Sequence, residues 1–109
     1  MAYDEILAQR IRAALHAIPG VTETKMFGGI SFLVDGNMAG GVSKDHLMVR
    51  IGPDARDAAL TQPHVRVFDM TGRPMRNWIL VEHAGIQTDA DLKHWIDQGI
   101  AFAQSLPPK

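Results

Sequence analysis

Four arginines, Arg50, Arg66, Arg73 and Arg76, are the residues of this 109-residue chain whose chemistry best suits a ligand. A guanidinium presents a planar fork of donors that matches carboxylate or phosphate oxygens, so four of them on one face would form an anion or partner site. They fall in or beside strand-like runs and in the Gly72-Arg73-Pro74 turn. The competing reading is that they are solvated or paired with nearby acids such as Asp54, Asp57 and Asp69. Only their arrangement in space separates the two.

Other reactive residue types are present without the spacing that chemistry needs. His16, His46, His64, His83 and His94 show no His-x-His, His-x-x-x-His or His-Glu-x-x-His pattern, so no metal site is expected. Ser31, Ser43 and Ser105 lack the Gly-x-Ser-x-Gly elbow, and Glu82-His83 are neighbours in sequence only. No catalytic residue and no cofactor is expected. The Gly28-Gly29 and Gly40-Gly41 pairs are not followed by the Lys-Ser/Thr of a phosphate loop and lie among strands, where glycines let a sheet turn or bulge. Met26, Met38, Met48, Met70 and Met75 read first as adaptable packing, and Trp78 and Trp95 as core or interface anchors.

Composition narrows the classes further. The chain is about one domain in size, residues 1–109, and long enough to bury its own core. With no cysteine it has no disulfide framework, no thiol nucleophile and no thiolate zinc ligand. Eleven Lys+Arg against twelve Asp+Glu, a net charge of −1, lack the basic excess of many nucleic-acid binders. The acidic start Met1-Ala2-Tyr3-Asp4-Glu5 leads into no apolar signal core, and no run is long enough for a membrane span, so a cytoplasmic location is expected.

The elements that must position these residues follow from periodicity. Leu7, Ile11, Ala14, Leu15 and Ile18 predict a helix over residues 4–18, stopped by Pro19-Gly20. Short apolar runs predict strands at 21–27, 29–34, 37–43 and 46–51, and connections as short as Asp35-Gly36 join only antiparallel neighbours. Gly52-Pro53-Asp54 suits the start of a two-turn helix ending near Leu60, before Gln62-Pro63. His64 to Phe68 is β-like, Thr71-Gly72-Arg73-Pro74 a turn or bulge, and Asn77 to Val81 a strand. Thr88 with Asp91 fits an acidic capping box for a last helix over 89–105, whose inner face is expected to bury Trp95, Ile96 and Phe102. Residues 107–109 form a short tail. The order is αββββα(β)βα, an α+β two-layer sandwich with helices on one face of an antiparallel sheet.

Two strings, Met26-Phe27-Gly28-Gly29-Ile30-Ser31-Phe32-Leu33-Val34-Asp35-Gly36 and Phe68-Asp69-Met70-Thr71-Gly72-Arg73-Pro74-Met75, resemble the N-terminal domain of the TfoX/Sxy family of competence regulators. The similarity spans nearly the whole chain. It implies a secretion-chaperone-like α+β sandwich, a fold often found in dimers. In the longer regulators that it resembles, this domain is joined to a helical C-terminal domain and helps direct competence gene transcription, which implies a transcription-factor partner. No counterpart of that second domain lies within these residues, so the resemblance carries over the fold and a tendency to bind protein. It transfers no catalytic residue.

The leading expectation is a stand-alone, non-enzymatic interaction or regulatory module that meets a protein partner through a sheet edge or helix face. The alternative is an anion, small-ligand or nucleic-acid binder using the arginines; an enzyme acting through His and Asp/Glu ranks third. Direct sequence-specific DNA binding is not expected. A homodimer is expected, because a small meander leaves edges and apolar side chains that a second copy can cover. Trp78 and the outer side of the first helix are the interface candidates.

Overall fold

A computed structural model describes residues 4–26, 29–70 and 73–108. The first helix, α1 (Glu5–Leu15), starts where the Asp4 carboxylate accepts the backbone N–H groups of Ile6 and Leu7, at 2.9 and 3.1 Å. Four strands follow: β1 (Val21–Met26), β2 (Gly29–Val34), β3 (Asn37–Ser43) and β4 (His46–Arg50). After α2 (Pro53–Ala59) come β5 (Val65–Met70), β6 (Arg73–Val81), a 3-10 turn at His83–Gly85 and α3 (Asp89–Gln104). Thr88 caps α3 by accepting the N–H of Asp91 at 3.1 Å. The strands form one antiparallel sheet in the order β1-β2-β3-β4-β6-β5.

The expected α+β class and element order hold. The last hairpin is longer than expected, because β6 begins at Arg73. Pro74 is tolerated there: β6 pairs with β4 only over 78–81, so the proline lies where only β5 is alongside. The Phe27-Gly28 and Thr71-Gly72 steps of the two family-like strings lie outside the described residues.

Register explains the core. One cross-strand row runs Phe32, Gly40, Val49, Ile79, Val67, and the next runs Ile30, Val42, Leu47, Val81, Val65. These rows share a face, and the buried Leu7, Ile11 and Leu15 of α1, Ala59 of α2, and Leu92, Trp95, Ile96 and Ile100 of α3 pack on it as one cluster. Phe102 departs from expectation. It is only half-buried and lies outside that cluster, with its ring beside Gly52.

The tightest approach is between α3 and β3. The Phe32–Gly40 and Leu33–Met38 pairs leave Ala39 as the extra residue of a β-bulge, and its carbonyl faces Gly99 of α3. A Cβ on Gly99 would run into that oxygen. Elsewhere the layers are tied by polar contacts. Arg10 donates to the carbonyls of Ile86 and Gln87, at 2.8 and 3.4 Å, and buried Asn37 donates to the Pro107 carbonyl at 3.0 Å, so the short tail is tied to the β2–β3 turn.

Two substitutions test this packing by urea denaturation. Gly99→Ala should cost about 1–3 kcal/mol by forcing the helix off the strand. The opposite sign, a gain of about 1 kcal/mol from helix propensity, would mean that the close approach is not sustained in solution. Asp35 and Gly36 both have positive φ, 51° and 83°, as a tight two-residue hairpin requires. Gly36→Val should therefore cost about 1–3 kcal/mol, and an unchanged midpoint would contradict the turn geometry.

Candidate functional site

The chain leaves two sheet edges, and the one at β1 is flanked by a cleft. Glu5 and Arg12 are seven residues apart, about two helical turns, and so lie on one side of α1. In β1 the side chains alternate: Glu23 and Lys25 stand opposite the core residues Phe32 and Ile30 and so point to the helix side. Thr22 and Thr24 point to the other face. The result is a cleft of about 290 Å³ lined by Glu5, Arg12, Glu23, Thr24, Lys25 and Ile30.

Arg12 spans this cleft with a two-pronged ion pair to Glu23, Nε to Oε2 at 2.8 Å and Nη2 to Oε1 at 3.0 Å. That contact fixes α1 against the edge strand where there is little apolar packing to do so. Lys25 is exposed and, among the described residues, has no ion-pair partner. The site therefore offers opposite charges two residues apart along a free strand edge.

The four arginines do not form one site among the described side chains. Arg50 lies with its guanidinium carbon 5.3 Å from the centre of the Phe102 ring, a cation–π contact. Arg66, on β5, faces Glu82 at 3.4 Å. The side chains of Arg73 and Arg76 lie outside the described residues. Trp78 is in β6, which runs between β4 and β5; it is 7 % exposed and its ring lies 5.9 Å from that of Phe68. Met48, Trp78 and Leu80 form a small apolar cluster on the sheet face away from the helices, with Met38 and Phe68 packed against it.

His64 lies beside the Glu82–His83 step, its carbonyl accepting the Glu82 N–H at 2.8 Å. His46 Nδ1 lies 3.4 Å from Asp45 Oδ1 without making a hydrogen bond, and His94 meets Trp95 edge-on. Among the described residues no three His, Cys, Asp or Glu side chains gather as metal ligands would. Among the described residues the buried Ser31 hydroxyl has no hydrogen-bond partner, and so no base to activate it.

Sequence reasoning on the arginines passed over the β1 edge. The available signal was the Thr22-Glu23-Thr24-Lys25 run, polar on both faces, which fits an edge strand and no central one.

Fold and cleft together define a small open-sheet α+β module with a charged groove along one sheet edge. Comparison with protein families matches the TfoX N-terminal domain over residues 13–103, and the chain belongs to that family. Neither curated proteins nor solved structures yield a match. The family match takes in Glu23, Thr24 and Lys25 and begins after Glu5 and Arg12, so it covers the strand side of the cleft and not its helix side.

If Arg50 and Arg66 serve packing and surface pairing, their loss should register as stability alone. Arg50→Ala should cost about 0.5–1 kcal/mol through the lost ring contact, and Arg66→Ala less than about 0.5 kcal/mol because its pair is exposed. Urea denaturation gives both values. A phosphate-dependent rise in melting temperature that vanishes in either variant would assign these arginines to an anion site.

Proposed function

We propose that this TfoX N-terminal-like chain is a non-enzymatic interaction or regulatory module that recognises another polypeptide through its sheet edge. The carrying observation is the edge of β1. All six of its residues pair with β2 without a bulge, its outer backbone row is unpaired within the sheet, and Thr22 to Lys25 are all exposed. An added strand would gain backbone hydrogen bonds along this row and side-chain selection in the cleft beside it. The other edge is less suited to pairing, since the β5–β6 ladder shifts register between Val67 and Asp69 and so bends the sheet there.

Tagged protein captured from its own cells after brief cross-linking, with the attached polypeptides identified by mass spectrometry, tests the reading. The expected outcome is cross-links from a protein chain to residues 22–25, with only weak, nonspecific duplex DNA binding. Salt-dependent submicromolar binding to a defined duplex, with no polypeptide cross-linked at the edge, would overturn it.

A further inference from the structure

We infer that the strand taken up by the β1 edge is β1 of a second copy, paired antiparallel about a two-fold axis through Thr24. This rests on the edge-recognition reading above and names the occupant. In an antiparallel edge strand, alternate residues turn their N–H and C=O groups outward, and a partner strand must match outward residues with outward ones. Symmetry-related copies of β1 therefore pair about a residue, not between two residues. The side chains choose which residue.

An axis at Glu23 would set two carboxylates directly opposite, and one at Lys25 would set two ammonium groups opposite; like charges in cross-strand pairs are destabilising. An axis at Thr22 would bring Glu23 opposite Val21. At Thr24 alone, each Glu23 faces the other copy's Lys25, and the two threonines face one another. Both charged pairs lie on the helix side of the sheet, where Arg12 already holds Glu23 with bonds of 2.8 and 3.0 Å. Each carboxylate would then lie between two cations, and each Lys25, which has no ion-pair partner among the described residues, would gain one.

A lysine on an edge strand ordinarily opposes pairing. Here a glutamate two residues away turns it into a selector of register. The outer row of β1 is regular, so an isologous contact would join the two sheets into one continuous sheet. In this register Met26, which ends the strand at a two-residue connection to Gly29, is bonded to β2, as are Thr24 and Thr22; Glu23 and Lys25 then supply the outward groups. The two Thr24 residues form a non-hydrogen-bonded pair with Cα atoms about 4.5 Å apart, within reach of a disulfide.

Light scattering over a concentration series should show twice the 12.0 kDa chain mass. K25E should raise the dimer dissociation constant about tenfold by turning two attractive pairs into repulsive ones. E23K should do the same. Mixed together, the two variants should dimerise again, because one chain carries two lysines and the other two glutamates. The chain has no cysteine, so T24C oxidised in air should give a covalent dimer without background, whereas T22C should not. A mass of 12.0 kDa at every concentration would overturn the inference. So would a dimer that ignores both charge reversals and that T24C fails to cross-link. Cross-linking of a different polypeptide to residues 22–25 of a monomeric chain would reject self-pairing while leaving the edge-recognition reading intact.

Discussion

The structure turns on one backbone contact, the approach of α3 to β3 at Gly99 and Ala39. A helix normally rests on a sheet at the distance set by two layers of side chains. Here both layers thin out at the same place: Gly99 has none on the helix, and Gly40 is the one position without a side chain in its cross-strand row. The bulge at Ala39 turns its carbonyl toward the helix. Helix α3 can therefore sink between Phe32 and Val49 and bring Trp95, Ile96 and Ile100 into a single core with α1. Shape complementarity of this kind is what makes a small core specific as well as apolar.

That packing also decides which parts of the sheet remain open. Helices α1, α2 and α3 cover one face, and Arg10 and Asn37 close the joins between the layers with hydrogen bonds to backbone carbonyls. The two edges differ in chemistry. At β5 the pairing with β6 shifts register between Val67 and Asp69 and the strand carries the charged Arg66, features that discourage strand addition. At β1 the pairing is regular and the exposed charges are of opposite sign.

Much of the fold was legible because it is written in local signals. Asp35-Gly36 marks a tight turn and the structure uses positive φ at both residues, while Asp4 and Thr88 cap the helices that follow them. Lys44, at φ 56°, closes the next hairpin, where the sequence places Ser43-Lys44-Asp45 between two apolar runs. The errors have physical causes. Helical periodicity placed Phe102 with Trp95 and Ile96, but it lies at the margin of the apolar stripe, and its ring is directed to Gly52 and Arg50. Pro74 read as an interruption because sequence does not reveal that its stretch of β6 has a single neighbouring strand. The arginines share a residue type and a region; their spacing carries no information about which of them meets Phe102 and which meets Glu82.

The β1 edge was the least legible feature, for a reason that bears on its role. A strand whose two faces are both polar contributes no periodicity to a search for core, and among its described side chains Val21 is the one packed against the main cluster. It is held instead by its hydrogen bonds to β2 and by the Arg12–Glu23 pair, which anchors the strand without burying it. Exposed ion pairs of this kind are worth little in stability, about 0.2–1 kcal/mol. What the pair does supply is position: it sets one carboxylate of the edge at a known place, two residues from the exposed Lys25 ammonium. Recognition by an added strand separates into two parts, backbone hydrogen bonds that are indifferent to sequence and side-chain contacts that choose the register. A polar edge of ordered, opposite charges provides the second part while contributing almost nothing to the core, so it can specify a partner strand without altering the packing around Gly99.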